Sequence, residues 1–313
     1  MAGSEATPPA ILALGEPMLE FNQTPGDQER YLQGFGGDTS NFCVAAARHG
    51  ASVGYITRLG RDAFGQQFLE LWQKEGVDIR GVGFDPDAHT GIYFVTHTDT
   101  GHVFTYFRAG SAASRLRPQD LPPGLIEATR YLHVSGISQA ISNSACDTVF
   151  SALERAHSGG AKVSYDPNLR LKLWSLARAK AIIEATVPLA DYFLPSLEDA
   201  QTLTGLEDPR AIVEYFLARG AKAIALKQGG DGVLVADSKE HTYIKGHTVT
   251  VADATGAGDC FDGALIARLC AGDTLVEAAR YANGAAALTT TGFGAVAPIP
   301  RADAVYSILK NFG

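Results

Sequence analysis

Short apolar runs alternate with longer amphipathic stretches through most of this 313-residue chain. The runs 10-AILALG-15, 53-VGYITRLG-60, 131-YLHVSG-136, 162-KVSYD-166, 192-YFLP-195, 223-AIALK-227 and 232-GVLVA-236 read as strands. They are nearly continuous in apolar residues, as strands covered on both faces are. Between them, apolar positions recur at helical spacing near 40–49, 62–75, 141–157, 173–185, 209–219, 258–271, 273–290 and 301–310. Strand–helix alternation implies right-handed crossovers, and so an α/β fold with a central, mostly parallel sheet and helices on both faces.

Two segments break this rhythm. Residues 17–37 are rich in Gly, Pro, Gln and Asp, and 90-TGIYFVTHTDTGHVFTYFR-108 reads as two β-rich arms around the polar turn 98-TDTG-101. Antiparallel strands inserted into a parallel α/β chain suggest a small β-strand lid over the crevice at the strand ends, built from segments near 17–37 and 90–110. An edge hairpin that merely extends the sheet is the alternative. No repeat or low-complexity linker interrupts the chain, so a single domain over 10–313 is expected, with residues 1–9 a flexible tail.

Composition narrows the function classes. Hydrophobic residues make up 46% and charged residues 19%, enough for a core in an ordinary globular protein. The net charge of −8 argues against a nucleic-acid surface or a polybasic membrane anchor, while leaving room for a local basic pocket. Cys43, Cys146, Cys260 and Cys270 form no CxxC pair, and each lies in a helical segment, as small buried hydrophobes in a reducing compartment do. The first ten residues lack the pattern of a secretory signal, and no apolar run approaches the ~20 residues of a membrane span. A cytoplasmic protein is expected.

The chemistry concentrates in 252-ADATGAGDCFDGALIARLC-270, where a helical pattern starts near Gly258 or Asp259. The first amides of a helix lack intrahelical partners and favour negative charge, and glycines let them converge on a phosphate. An aspartate beside such an anion site repels a bound phosphate but suits a general base acting on an attacking hydroxyl. A capping aspartate on an ordinary turn fits the same residues. No Gly-Lys-Ser/Thr follows, so the turn is not a Walker A loop.

The motif 253-DATGAGD-259 closely resembles the C-terminal signature of the ribokinase-like (PfkB) sugar kinases. The stretches 34-GFGGDTSNFCVAAARHG-50, 223-AIALKQGGDGVLV-235 and 282-ANGAAALTTTGFGAVAP-298 are similar to that family's other elements, in the expected order and across essentially the whole chain. The resemblance implies a ribokinase-like fold and ATP-dependent phosphorylation. It makes Asp259 the base and the amides of Gly256, Ala257 and Gly258 the anion hole. Asp253 and Thr255 would shape that loop, with Thr255 on the nucleotide side; in some relatives a monovalent cation lies nearby. Lys227, Gly229 and Gly232 would contact ATP, and Asn283 would lie beside adenine. The family's N-x-x-E element appears as 196-SLED-199, which puts Ser196 at the nucleotide and Asp199 in a water-mediated Mg²⁺ shell. The same four residues fit a helix N-cap followed by acids.

The acceptor is read from the other half of the chain. The turn 36-GGDTSN-41 departs from the ribokinase and fructokinase forms: Asp38 and Asn41 would bind hydroxyls, and Gly36 and Gly37 would allow close approach. Glu16 stands where many relatives carry a hydroxyl-binding aspartate. Gly-Glu-Pro at 15–17, GGDTSN and 194-LPSLEDA-200 resemble the 2-keto-3-deoxygluconate kinases within the family. A sugar acid needs charge compensation, which an arginine fork supplies; Arg108 and Arg170 stand where that branch contacts its substrate, with Tyr93 and Tyr106 as lid-side hydroxyls. The implied reaction is transfer of the γ-phosphoryl group of MgATP to the 6-hydroxyl of 2-keto-3-deoxy-D-gluconate. Kinases of fructose, ribose or nucleosides, and a non-catalytic ligand-binding regulator of the same fold, are the rivals. Because family lids often pair between subunits, the apolar hairpin arms also suggest a homo-oligomer.

Overall fold

The computed structural model describes residues 7–24, 27–98 and 101–311. Its strands are β1 (Ile11–Leu14), β2 (Met18–Thr24), β3 (Asp27–Gly36), β4 (Val53–Gly60), β5 (Asp78–Asp85), β6 (Gly91–Thr98), β7 (Gly101–Phe107), β8 (Tyr131–Ser135), β9 (Lys162–Asp166), β10 (Tyr192–Phe193), β11 (Ala223–Lys227), β12 (Gly232–Asp237) and β13 (His241–Lys245). The α-helices are α1 (Asp38–Arg48), α2 (Ala63–Glu75), α3 (Gly136–Ala140), α4 (Asn143–Ser158), α5 (Leu176–Thr186), α6 (Leu197–Thr204), α7 (Pro209–Leu217), α8 (Ala257–Ala271), α9 (Leu275–Thr289) and α10 (Ala302–Asn311).

Nine strands form one sheet in the order β13-β12-β11-β10-β9-β8-β1-β4-β5. The run from β5 to β11 is parallel, and β12 and β13 continue it antiparallel at one edge. This is the mostly parallel α/β sheet that the strand–helix alternation implied, and it agrees with the ribokinase-like fold that the motif resemblance implied. Successive residues of β1 supply opposite cores: Ile11 and Ala13 pack with Phe42, Trp72 and Leu265, whereas Leu12 and Leu14 pack with Leu153, Ile183 and Phe216. That alternation explains why the strand reads as an unbroken apolar run.

Strand order also places the crevice. From β1 the chain runs to β4 and β5 on one side, then returns to β8 and β9 on the other. The order therefore reverses at β1, and the space beyond the carboxyl ends of β1 and β8 is the switch point where open α/β sheets bind ligands. Glu16, Ser135 and Asp166 follow or end the strands around it.

The second sheet, in the order β3-β2-β6-β7, is the lid. The hairpin expected over 90–108 is β6–β7, with Tyr93 opposite Tyr106; two residues of its turn, 99 and 100, lie outside the described residues. The segment 17–37, expected as part of the lid without strands assigned within it, is itself a hairpin of β2 and β3. A parallel β2–β6 ladder joins the two hairpins. Strands β5 and β13 and the short helix α3 were not foreseen, while α6 is the helix that the capping reading of 196-SLED-199 allowed; β5, DIRGVGFD, is a half-exposed edge strand whose glycines and charges hide the alternation.

Helices α1 and α8 cross closely because Gly263 leaves no side chain between them. A Cβ there would stand 2.6 Å from the Phe42 carbonyl oxygen. All four cysteines are free and helical, with Cys43, Cys146 and Cys260 buried. No described helix is long and apolar enough to cross a membrane.

Candidate active site

The loop before α8 turns on Gly256, whose φ of 76° is left-handed and whose Cβ, if present, would lie 2.7 Å from the Ala295 carbonyl oxygen. Glycine alone fits there without strain. Asp253 ties the loop together: Oδ1 accepts from the Thr255 amide at 2.9 Å and hydroxyl at 2.6 Å, and Oδ2 accepts from the Gly294 amide at 2.9 Å. Gly256 caps the helix without any side-chain bond, so the helix start stays open to an anion. Of the three amides expected to form the anion hole, that of Ala257 already donates to the Ala254 carbonyl at 3.2 Å. The amides of Gly256 and Gly258 have no acceptor among the described residues.

Asp259 follows in the first turn of α8 and is not its cap. Asn41 Nδ2, from α1, donates to Asp259 Oδ2 at 2.8 Å. Burial and the like charge of Asp38 push the Asp259 carboxyl up to about 7, with Asp166 adding to the rise and Asn41 and Lys227 opposing it. The group therefore titrates where a general base is useful. Asn41 Oδ1 is buried without a hydrogen-bond partner among the described residues, an open acceptor beside Asp259.

Asp38 begins α1 behind its N-cap, Gly37. It accepts from the Thr39 amide at 2.9 Å and from Asn168 Nδ2 at 3.1 Å. Burial raises its carboxyl, against hydrogen bonds from Ser135 and Thr39. Asn168, absent from the sequence-based site, has a φ of 34°, the one positive value outside glycine among the described residues. Asparagine tolerates that region, and the signal was present in 166-DPN-168 directly after a strand.

Several expected contacts find other partners. Arg108 is not a free guanidinium: its Nε donates to Glu16 Oε2 at 2.8 Å, and its Nη2 lies 2.5 Å from the same oxygen. The Ser111 hydroxyl holds Glu16 Oε1. Both charges are buried, so each stabilises the other, while Arg108 Nη2 makes no hydrogen bond of good geometry among the described residues. Tyr93 donates its hydroxyl to Glu20 Oε2 at 2.5 Å and lies over Gly36. With its proton committed, it can only accept from a substrate. Tyr106 packs against Tyr93, and the Arg108 guanidinium lies 5.8 Å from the Tyr106 ring centre. Arg170 differs from Arg108: it is exposed, donates to the Leu169 carbonyl at 2.9 Å, and has no ion pair among the described residues.

On the nucleotide side, the Lys227 side chain is 13% exposed and held between Asp166 and Asp262. Gly229 and Gly232 form the turn that follows, with positive φ of 55° and 115°. Asn283 donates to the Lys245 carbonyl at 2.8 Å and fastens α9 to β13. Ser196 caps α6 by accepting from the Asp199 amide at 3.1 Å, the capping reading of 196-SLED-199. Asp199 Oδ2 accepts from the Leu169 amide at 3.0 Å. Burial and the charge of Asp166 raise its carboxyl, a strain that a hydrated Mg²⁺ would relieve, so Asp199 fits the expected water-mediated shell.

Residues 10–302 match the model of the pfkB family carbohydrate kinases. The chain is 33% identical to a 2-dehydro-3-deoxygluconokinase of Thermoproteus tenax, covering 93% of this chain and 92% of that protein. It is 31% identical to a probable fructokinase-3 of Arabidopsis thaliana, covering 99% and 94%. The fold superposes on a putative ribokinase II from E. coli solved with ATP and Mg²⁺, with a TM-score of 0.89, 26% identity, and coverage of 97% of this chain and 99% of that one.

Proposed function

The chain belongs to the pfkB family of carbohydrate kinases, and on that premise we propose that it phosphorylates 2-keto-3-deoxy-D-gluconate at its 6-hydroxyl with ATP. The observation that carries the phosphotransfer chemistry is Asp259, pushed up to about 7 beside an open helix start and oriented by Asn41.

In the proposed reaction, Asn41 holds Oδ2 of Asp259, which leaves Oδ1 to take the proton of the acceptor hydroxyl. Asn41 Oδ1, Asp38 and the Tyr93 oxygen supply acceptors for the remaining hydroxyls. The amides of Gly256 and Gly258, with the α8 dipole, stabilise negative charge on the transferred phosphoryl group. Mg²⁺, held through water by Asp199, would add charge stabilisation when bound. The lid closes over the sugar and keeps water from competing for ATP. Arg170 meets the carboxylate, and Arg108 acts with Glu16 as a neutral pair that shapes the pocket.

A neutral hexose is the second reading. The buried Glu16–Arg108 pair favours it, because that pair removes one of the two guanidinium charges on which the sugar-acid argument rested. ADP release measured with ketodeoxygluconate, fructose and ribose decides between them. We expect kcat/KM for ketodeoxygluconate to exceed the others by roughly tenfold or more, with Arg170→Ala erasing most of that preference at about 1–3 kcal/mol. Faster turnover of fructose or ribose overturns the sugar-acid reading, and turnover of no acceptor would leave a ligand-binding regulator.

A further inference from the structure

Asp166 at the end of β9, Lys227 at the end of β11 and Asp262 in the second turn of α8 meet at a buried junction beneath the anion site. Lys227 Nζ donates at 3.0 Å to Asp166 Oδ2 and at 3.0 Å to each oxygen of Asp262. The same ammonium lies 3.6 Å from where a Cβ on Gly258 would stand, so it neighbours the residue that carries one of the two open amides. One cation facing two ionised carboxylates would leave a surplus negative charge under a site that must receive a triphosphate. Two buried carboxylates this close relieve the surplus by sharing a proton.

We propose that Asp166 and Asp262 are positioning residues for phosphoryl transfer, which clamp the Lys227 ammonium behind the anion hole and share one proton so that the cluster is neutral. Two further observations agree. Burial pushes the Asp262 carboxyl well above the ordinary carboxylate range, with Asp166 adding to the rise, while burial of Asp166 is outweighed by Lys227 and by hydrogen bonds that include Asp262. The shared proton therefore resides on Asp262 and is donated to Asp166. The cluster faces Asp259 within α8, Asp38 from α1 and Asp199 from α6. His133 on β8 is pressed by burial down to about 3 and is neutral. Neutrality of the cluster thus keeps a field of carboxylates from raising Asp259 further, while Lys227 remains charged at the phosphoryl site.

The two acids act as one unit in this arrangement, so their replacements are not additive. In Asp262→Asn the Asp166 carboxylate still balances Lys227; in Asp166→Asn, Asp262 gives up its proton and does the same. Each single variant should leave the acid limb of the kcat/KM profile within about 0.3 pH units and kcat within about fivefold. The double variant leaves Lys227 unbalanced and unclamped; its limb should move down by about one unit and kcat fall at least ~tenfold. Equal shifts in each single variant would mean that both acids are ionised, and would overturn the proposal.

This kinetic arm rests on the sugar-kinase reading and uses whichever acceptor the panel turns over. A second arm needs no turnover. Carboxyl ¹³C NMR of aspartate-labelled, ligand-free protein should show one aspartate still protonated from about pH 5 to about pH 8, and that signal should vanish in Asp262→Asn. If the vanished signal is that of an ionised carboxylate, the shared proton does not exist, whatever the substrate.

Discussion

Asp259 keeps its proton to about pH 7 because burial and Asp38 oppose its charge more strongly than Asn41 and Lys227 support it. A base works only when deprotonated, so kcat/KM should be at its plateau above about 7 and fall about tenfold per pH unit below it. Asp259→Asn keeps the shape and the bond from Asn41 but cannot take a proton. Turnover should drop by ~10²–10⁴, while ATP affinity by calorimetry stays within about threefold. Unchanged turnover, or a flat profile in the wild type, would remove Asp259 from the role. At this scale the sequence was legible where chemistry is local: GAGD shows its glycines and its acid within four residues. It was silent where chemistry depends on partners far apart in the chain. Glu16 and Arg108 are 92 residues apart, and Lys227 and Asp166 are 61 apart, so only the fold reveals that these charges neutralise one another.

Elements were legible in proportion to how one-sided their burial is. Helices such as α2 and α4 bury one stripe, and their apolar period marks them within a few residues. The lid strand β3, DQERYLQGFG, carries no such record, because much of it is exposed and its pairing with β2 supplies the order. The two faces of the lid differ. Glu20, Tyr93 and Tyr106 share the face toward the crevice, whereas Tyr31, Phe94, Val103 and Phe107 share the other. Phe94 touches Tyr31 and Phe107 there, with ring centres 5.4 and 5.9 Å away, yet Phe107 is 54% and Val103 48% exposed. Toward α2 this face is covered, since Phe21 meets Phe64 and Phe35 meets Phe68 with ring centres 5.9 and 5.2 Å apart, and its uncovered end suits a second copy of the same lid. Light scattering at micromolar concentration should give at least a dimer, and Phe107→Asp should shift it toward monomer while unfolding at a similar temperature. A monomeric wild type would refute pairing through the lid.

For the molecule as a whole, the site is a store of opposed charge. Asp259, Asp38, Asp199, Asp262 and Glu20 all have raised carboxyls, chiefly through burial. The folded chain therefore holds protons that the unfolded chain releases, and stability must fall as pH rises from the ordinary carboxylate range through about 7. For Asp259, moving from 3.8 to about 7 sets an upper bound of about 4 kcal/mol, and residual solvation reduces it to about 1–3 kcal/mol. Asp62, Glu75 and Asp78 act in the opposite direction, since their lowered carboxyls stabilise the fold only while ionised and lose that contribution in acid. The two groups together place the stability maximum in mildly acidic solution, with a decline toward alkaline pH that the net charge of −8 reinforces. Calorimetry of the ligand-free protein should show the melting temperature falling between about pH 5.5 and about pH 8. Asp259→Asn should flatten that slope and melt higher than the wild type at pH ~8, because the fold no longer has to bury an ionised carboxylate there. An unchanged slope would mean that Asp259 is solvated well enough to ionise freely, and its power as a base near neutrality would then need another source.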